Sequence, residues 1–268
     1  MSDLAVKCSE NLEKIRQNKP LIHNITNFVV MNYTANVLLA TGASPVMAHA
    51  ENEVEEMVGF AGALVINIGT LTDIWVESML KAARKASEMG TPIILDPVGS
   101  GATKLRTDAA KKIIAETNVS IVRGNASEIL SLHNEQSKSK GVDSLHSVDE
   151  AEGSAMILAK ELGATLAITG PTDFITDGDR IIRVQNGHSL MPVVTGTGCS
   201  ATAIIGAFAA VDPDPVTAAA TGLAFFGLAG EKAGQNAEGP GSFMISILDA
   251  LFQLTTYDLK SGCKFIQE

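Results

Sequence analysis

Short apolar runs rich in β-branched residues alternate with longer helical patterns through the first two thirds of the chain. The runs lie at residues 64–68, 92–95, 120–122 and 166–169. The segments between them have the apolar spacing of helices, at residues 72–89, 107–117 and 148–162. Uninterrupted apolar strands that alternate with helices are typical of a parallel sheet covered on both faces. The sequence therefore predicts an α/β fold with a central, mostly parallel sheet and helices on both sides.

The pattern changes after the last of these runs. Two turn signals, Asp177-Gly178 and Asn186-Gly187, separate β-branched runs at 174–176, 180–184 and 189–194. Such dipeptides favour two-residue hairpin turns, so they predict an antiparallel meander joined to the parallel sheet. Helices rich in small residues are predicted to follow the meander, at residues 200–210, 215–233 and 242–254.

Composition limits the classes of partner and the cell compartment. The 268 residues carry a formal net charge of −10, which argues against nucleic acid or an anionic membrane as the main partner. Cys8, Cys199 and Cys263 lie far apart without zinc-ligand spacing, so we expect reduced thiols. The chain shows no signal peptide and no apolar run of membrane-spanning length. We expect a soluble, cytoplasmic protein with a single domain over 1–268 and a polar surface loop at 134–141.

A glycine turn at 193–200 leads into the first of the late helices. Gly196 and Gly198 leave backbone N–H groups uncovered at the helix N-terminus, where these donors and the helix dipole favour an anion such as phosphate. Cys199 follows in the first helical turn, where the same field favours a thiolate with a lowered pKa. The alternative is a buried, inert cysteine beside a tight turn. The first interpretation predicts an anion hole at Gly198 with a reactive thiol beside it.

Two acidic residues stand at the carboxyl edge of the predicted sheet, where open α/β sheets bind ligands. Asp96 directly follows an apolar strand, and a carboxylate there can hold Mg²⁺ together with substrate phosphates. It can equally be a turn residue ahead of Pro97. Glu128 lies in the first turn of the helix after the next strand. It is either a second acid near the metal or a capping-box residue favoured by the helix dipole.

Arg123 and Thr169 end two further strands at the same edge. Arg123 can bind a phosphate with two parallel hydrogen bonds, or it can be a solvated surface arginine. Thr169 is a ligand contact or an ordinary β-branched strand residue. Asn27 lies in an N-terminal segment rich in side-chain amides and is a candidate ligand contact. The alternative interpretation is that Asn27 or Asn24 simply caps the following helix. Because the strand-end residues come from successive strands, they predict one convergent site.

Two common nucleotide-binding schemes fit the chain poorly. Residues 196–201 satisfy the loose Gly-x-Gly-x-x-Ala pattern of dinucleotide-binding folds, but helices rather than a parallel strand follow them. A Walker loop is excluded because the chain contains no Gly-Lys pair.

The arrangement resembles the ribokinase-like small-molecule kinases, in which a glycine turn before a late helix forms an anion hole beside the catalytic base. Most of those kinases have aspartate where this chain has Cys199, and cysteine at that position is the pattern of the hydroxyethylthiazole kinases. The resemblance to that family extends over nearly the whole chain, through residues 20–27, 42–48, 67–70, 95–99 and 123–128.

The resemblance implies phosphorylation of the hydroxyl of 4-methyl-5-(2-hydroxyethyl)thiazole by ATP with Mg²⁺, in thiamine salvage. It implies a catalytic role for Cys199 and a homotrimer with sites at the subunit interfaces. By motif, the thiazole pocket is assigned Met47, Gly196 and Asn27. The nucleotide is assigned Arg123 and Thr169, the anion hole Gly198, and the metal Asp96 and Glu128.

Other functions remain open at this point. A kinase of the same fold could act on hydroxymethylpyrimidine or another small alcohol, although the motifs around Asn27 and Met47 count against it. An ADP-dependent hydrate-repair lyase is disfavoured by Cys199. A non-catalytic thiazole or nucleotide sensor is disfavoured because it need not keep a set of metal and base residues.

Overall fold

One mixed β-sheet runs through the part of the chain that the computed structural model describes, residues 3–133 and 148–267. Its strands are β1 (Leu21–Ile25), β2 (Ser44–Val46), β3 (Ala63–Asn67), β4 (Ile93–Asp96), β5 (Ile121–Asn125), β6 (Thr165–Thr169), β7 (Asp173–Thr176), β8 (Ile181–Val184) and β9 (Phe265–Gln267). Their order across the sheet is β2-β1-β3-β4-β5-β6-β7-β8-β9. Strands β1 to β6 pair in parallel, and β7, β8 and β9 pair antiparallel. The four predicted apolar strands are β3 to β6.

Helices cover both faces of this sheet. Their bounds are α1 (Asp3–Asn18), α2 (Met31–Thr41), α3 (Val54–Val58), α4 (Asp73–Met89), α5 (Lys104–Glu116), α6 (Ala126–Leu130), α7 (Val148–Leu162), α8 (Thr197–Ala209), α9 (Pro215–Gly234), α10 (Pro240–Gln253) and α11 (Thr256–Gly262). Alternate residues of β3 serve opposite cores, since Val65 belongs to the core that includes α1, α8 and α9, while Leu64 and Ile66 belong to the core that includes α4 and α5. The predicted α/β fold with a mostly parallel, doubly covered sheet is therefore confirmed.

Local signals set the helix boundaries. The Thr72 side chain caps the N-terminus of α4, and Gly90 ends that helix at φ 69°, a left-handed conformation that glycine adopts without strain. The helix predicted at 107–117 begins earlier, at Lys104, because Thr103 supplies its cap. Within the described residues, we find no helix long and apolar enough to cross a membrane.

The meander is only partly as predicted. Strands β7 and β8 form the first hairpin, but the strand predicted at 189–194 is wrong, since a short 3-10 helix occupies Met191–Val193. The Asn186 side chain donates to Glu231 Oε1 at 3.0 Å and to the Gly262 carbonyl at 2.9 Å. These tertiary bonds hold the 186–187 turn away from a hairpin, and β9 from the chain's end takes the place beside β8. The loop predicted at 134–141 lies outside the described residues.

Candidate active site

The parallel strands bring polar side chains to one edge of the sheet. Asn67 ends β3 and lies in register with Asp96 at the end of β4. Thr169 ends β6, in register with Asn125 at the end of β5. Arg123 lies two residues before the end of β5. The predicted convergence of these residues at the carboxyl edge is therefore what the topology produces.

The glycine turn brings the N-terminus of α8 to this edge. Gly196 is the helix N-cap at φ 87°, in the left-handed region, and its carbonyl accepts from the Ser200 N–H at 2.8 Å. A Cβ at Gly196 would also lie 2.7 Å from Val30 Cγ1, so both conformation and space require glycine. This turn places Cys199 in the first turn of α8, facing the strand ends.

Cys199 lies half-buried among side-chain amides. The Asn27 Nδ2 group donates to the Cys199 sulfur at 3.5 Å and to Asn67 Oδ1 at 2.8 Å. Burial, followed by the negative charge of Asp96, raises the pKa of the Cys199 thiol to about 11. The prediction of a lowered pKa is therefore wrong. The helix N-terminus favours the thiolate, but desolvation of the sulfur and the nearby carboxylate outweigh it.

Asp96 is fully buried at the centre of a hydrogen-bonded network. Its Oδ2 accepts from Asn67 Nδ2 at 2.7 Å and from Thr202 Oγ1 at 2.8 Å, and Arg123 Nη1 lies 3.8 Å away. Burial raises the pKa of this carboxyl group, and the Arg123 charge opposes that rise. Its second oxygen, Oδ1, has no hydrogen-bond partner among the described residues. Asp96 is thus more than a turn residue, because its side chain connects β3, β4, β5 and α8.

Glu128 adopts the capping-box geometry that was its alternative interpretation. Its Oε2 accepts from the Asn125 N–H at 2.9 Å, and the Glu128 N–H donates to Asn125 Oδ1 at 2.9 Å. Its Oε1 accepts from the Gly99 N–H at 2.9 Å, which ties the loop after β4 to α6. Each carboxylate oxygen keeps a further acceptor position, so these bonds leave Glu128 able to accept from water.

A bound Mg²⁺ ion is compatible with this set of residues. The unpartnered Asp96 Oδ1 is an oxygen of the kind that Mg²⁺ prefers. Glu128 supplies a second carboxylate from α6, which directly follows the neighbouring strand β5. Within the described part of the chain, no three His, Cys, Asp or Glu residues cluster tightly enough to hold a metal by themselves. Mg²⁺ commonly completes its shell with water and substrate phosphates, so a two-carboxylate set fits that ion.

Arg123 and Thr169 form one wall of a cavity of about 710 Å³. Arg123 Nη2 donates to Thr169 Oγ1 at 2.6 Å, and the arginine side chain is 13% exposed. The alternative of a solvated surface arginine is therefore wrong. Gly198 lies against the guanidinium, since a Cβ there would be 2.6 Å from Arg123 Nη1. The cavity continues past His188, Met191 and Phe226.

The two N-terminal asparagines do not cap α2. That helix has Val30 as its N-cap without a side-chain bond, and Asn27 Oδ1 instead accepts from the Val29 N–H at 3.1 Å. Asn24 donates to the Ile22 carbonyl. The Nδ2 group of Asn27 is left to face Cys199, as described above.

Met47 follows β2, one strand beyond β1 in the sheet, and is half-buried. It shares the carboxyl edge with Asn27, which comes two residues after β1 ends at Ile25. The structure thus places Met47 on the side of the site away from the large cavity, while Arg123 and Thr169 line that cavity.

Sequence reasoning overlooked three residues of this site: Asn67, Thr202 and Asp173. Asn67 stands at a strand end and Thr202 lies one helical turn after Cys199, so both had a signal of position. Asp173 lines the cavity from β7 beyond the parallel strands, and its Oδ1 accepts from the Gly170 N–H at 3.0 Å.

Asp173 makes folding stability depend on pH. Burial raises the pKa of its carboxyl from 3.8 to about 6, so the folded protein binds this proton more tightly than the unfolded chain. The stability contributed by the protonated form is therefore lost as pH rises through 6. Asp173→Asn keeps an acceptor for Gly170 without this penalty. We expect its gain in unfolding free energy over wild type to grow by about 1 kcal/mol between pH 5 and pH 8, measured by urea unfolding. An equal difference at both pH values would contradict this origin.

The model of the hydroxyethylthiazole kinase family matches residues 12–257. The chain belongs to the hydroxyethylthiazole kinase family. A member from Desulfotalea psychrophila is 67% identical over 264 residues, which cover 98% of this chain and 97% of that relative.

Solved structures agree with this membership. The hydroxyethylthiazole kinase protein from Pyrococcus horikoshii OT3 superposes with a TM-score of 0.91 at 46% identity, covering 98% of this chain and 99% of the other. A ribokinase-like superfamily protein from Enterococcus faecalis V583 superposes with a TM-score of 0.65 at 12% identity, covering 92% and 95%. The second likeness concerns the fold alone, and it confirms the ribokinase-like architecture. As a member of this family, the protein is a kinase.

Proposed function

We propose that this protein transfers the γ-phosphoryl group of ATP to the hydroxyl of 4-methyl-5-(2-hydroxyethyl)thiazole, a step of thiamine salvage. The observation that carries the proposal is the network linking Cys199 through Asn27 and Asn67 to Asp96, in a chain of the hydroxyethylthiazole kinase family. This network adjoins the large cavity through Arg123. An alcohol beside Cys199 and a nucleotide in the cavity would meet at the N-terminus of α8.

On the alcohol side, we assign Met47, Gly196 and Asn27 to the thiazole pocket. All three lie where the N-terminal strands end or where α8 begins. The Asn27 amide, held by Asn67, supplies a fixed donor next to Cys199. Gly196 supplies a surface without a side chain, as the close approach of Val30 requires.

On the nucleotide side, we assign Arg123 and Thr169 to ATP and the Gly198 N–H to the anion hole. The guanidinium is oriented by its hydrogen bond to Thr169 and lies near the Asp96 carboxylate. Arg123 thus presents a positive charge beside the uncovered N–H groups of the first turn of α8, a combination that favours a phosphoryl group.

Asp96 and Glu128 are the residues we assign to Mg²⁺. When bound, the ion supplies charge neutralisation for the phosphate oxygens. Asp96 offers its unpartnered Oδ1, and its other oxygen is held by Asn67 and Thr202. Glu128 is oriented by the Asn125 and Gly99 amides.

Phosphoryl transfer depends mainly on positioning and charge stabilisation, because its transition state involves little bond formation to the attacking oxygen. With a pKa of about 11, the Cys199 side chain is a neutral thiol at pH 7. We assign it the catalytic role of orienting the hydroxyl. Only its thiolate form can receive the hydroxyl proton, late, as the alcohol oxygen bonds to phosphorus and its O–H bond breaks.

Gly198→Ala is expected to raise the KM for ATP by about 10-fold, since it displaces one charge-assisted contact, that of the Arg123 guanidinium with the nucleotide. Thermal stability should be unchanged. The added Cβ would lie 2.6 Å from Arg123 Nη1, the mobile end of a long side chain that can swing away without unfolding the protein. Steady-state kinetics and thermal unfolding measure both effects. Gly153→Ala is the matched control, because nothing lies within 4 Å of a Cβ there. If Gly198→Ala had the same KM for ATP as the wild type, the assignment of Arg123 to the nucleotide would be contradicted.

The proposed function is tested by incubation with ATP, Mg²⁺ and single alcohols from a panel of thiazole, hydroxymethylpyrimidine and sugar compounds. We expect ADP release with the hydroxyethylthiazole and formation of its phosphate, observed by ³¹P NMR. Turnover of hydroxymethylpyrimidine in preference to the thiazole would favour the sister-kinase alternative. Tight thiazole binding without turnover of any alcohol would favour a sensor.

We also propose that the chain acts in the cytoplasm as a single domain over 1–268 and assembles as a homotrimer with sites at subunit interfaces. One sheet contains strands from both ends of the chain, which supports a single unit. Phe28 is 65% exposed and Val29 64% exposed directly beside Asn27, so a neighbouring subunit could cover an apolar rim of the site. Sedimentation equilibrium should then give the mass of three 28.0 kDa chains.

A further inference from the structure

Arg106 on α5 connects two loops at the carboxyl edge of the sheet. Its Nη1 donates to the Ile68 carbonyl at 3.1 Å and to the Val98 carbonyl at 2.7 Å. Its Nη2 donates to the Gly69 carbonyl at 2.6 Å. One guanidinium therefore holds the loop after β3 and the loop after β4 together.

These loops directly continue the strands that end in Asn67 and Asp96. Asn67 precedes the two carbonyls at 68 and 69, and Asp96 lies two residues before Val98. The two side chains are themselves joined at 2.7 Å, Asn67 Nδ2 to Asp96 Oδ2. The geometry of that contact thus depends on the separation of the two loops as well as on the pairing of β3 with β4.

The same loops reach the amide beside Cys199. The Gly69 N–H donates to Asn67 Oδ1 at 2.9 Å, and the same oxygen accepts from Asn27 Nδ2 at 2.8 Å. A Cβ at Gly69 would lie 2.6 Å from Asn27 Nδ2, so the backbone at 69 packs directly against that side chain. A shift of this loop would therefore move both Asn67 and Asn27.

The planar guanidinium suits this position better than an ammonium group. Its N–H donors lie in a rigid fork and can serve several carbonyls at once, whereas lysine presents a compact charge on a flexible stem. The Arg106 stem also passes under Gly99, where a Cβ would be 3.0 Å from its Cδ. Gly99 has φ 73°, so glycine is required there by the backbone as well as by the arginine.

We propose that Arg106 is a positioning residue for phosphoryl transfer, which sets the Asn67–Asp96 pair and the Asn27 amide by clamping the two loops together. It touches neither reactant and acts through the backbone at 68, 69 and 98. The proposal rests on the proposed function for its kinetic readout and on the geometry alone for its structural readout.

The kinetic test compares Arg106→Lys with wild type and with Arg84→Lys. Arg84 pairs with Glu116 on the surface, is 51% exposed and lies on α4 away from both loops, so it is a matched control. We expect Arg106→Lys to lower kcat by about 10²-fold, because small displacements of positioned groups carry costs of that size. The KM values for ATP and the thiazole should change less than about 3-fold, since the groups assigned to bind them are not removed. Thermal unfolding should show that both variants fold.

A kcat within 2-fold of wild type, or a loss of kcat matched by a fall in thermal stability and equalled by Arg84→Lys, would overturn the proposal. A crystal structure of Arg106→Lys gives a readout that does not depend on turnover. If the wild-type protein proved inactive, the proposed function would be contradicted, but this structural test would still apply. We expect the Asn67 Nδ2 to Asp96 Oδ2 separation, 2.7 Å in the wild type, to lengthen beyond a hydrogen bond. An unchanged separation would overturn the clamp.

Discussion

Asp96→Ala is expected to lower kcat by roughly 10²–10³-fold, comparable to removal of a key electrostatic group from an enzyme site. The dependence of turnover on Mg²⁺ concentration should weaken at the same time. Asp96 is fully buried, and its unpartnered Oδ1 is the oxygen assigned to the metal. Steady-state rates across a Mg²⁺ titration measure both effects together.

The alanine variant should also be less stable. It leaves the buried donors of Asn67 and Thr202 without their acceptor, and each such loss costs about 1–3 kcal/mol. Asp96→Asn keeps the shape and one acceptor, so it separates loss of charge from loss of packing. We expect the asparagine variant to fold like wild type and to remain nearly as inactive as Asp96→Ala. Full turnover with an unchanged Mg²⁺ profile in either variant would refute the role assigned to Asp96.

Cys199→Ser is expected to reduce kcat by about 10–10²-fold and to raise KM by a smaller factor. This loss of kcat is at the lower end of the effects seen for groups that transfer a proton. Serine is smaller, and its hydroxyl has a higher pKa than a thiol, so the anion that can receive the alcohol proton is populated far less. Cys199→Asp should keep kcat within about 10-fold of wild type, because a carboxylate accepts a proton readily at neutral pH. Steady-state kinetics of both variants give the comparison.

Controls for these two variants come from the chain itself and from pH. Cys263→Ser alters a half-buried thiol near Cys8, at an Sγ–Sγ distance of 3.9 Å, and should leave kcat unchanged. Because the pKa of the Cys199 thiol is about 11, wild-type kcat should be nearly constant between pH 7 and pH 9 if the neutral thiol acts. A rise of about tenfold per pH unit would instead identify the thiolate as the acting form. A fully active serine variant would reduce the role of Cys199 to positioning alone.

Several local signals in the sequence predicted the structure correctly. Apolar runs of strand length predicted β3 to β6, and the helical spacing before Gly90 predicted α4. The convergence of Asp96, Arg123 and Thr169 followed from parallel topology, because side chains at the ends of parallel strands must share one edge. The resemblance to the hydroxyethylthiazole kinases rested on motifs along the chain, and the family comparison confirmed it.

Residues whose environment depends on distant partners were predicted less well. The run at 189–194 had strand composition, but Asn186 bonds to Glu231 and Gly262, and the sheet position beside β8 goes to β9. Likewise, the turn before α8 marked Cys199 as a thiol in a positive field. No local pattern could show that burial and the Asp96 charge raise its pKa.

The amino-acid sequence by itself determined the apolar strands β3 to β6, the helices between them, the glycine turn before α8 and the family, because each depends on neighbours along the chain. Only the tertiary structure decided that Asn67 and Thr202 share Asp96, that Arg106 clamps two loops, and that Cys199 is held as a neutral thiol. The physical reason is that desolvation, charge–charge interaction and hydrogen-bond partnership depend on distances in space between residues far apart in sequence.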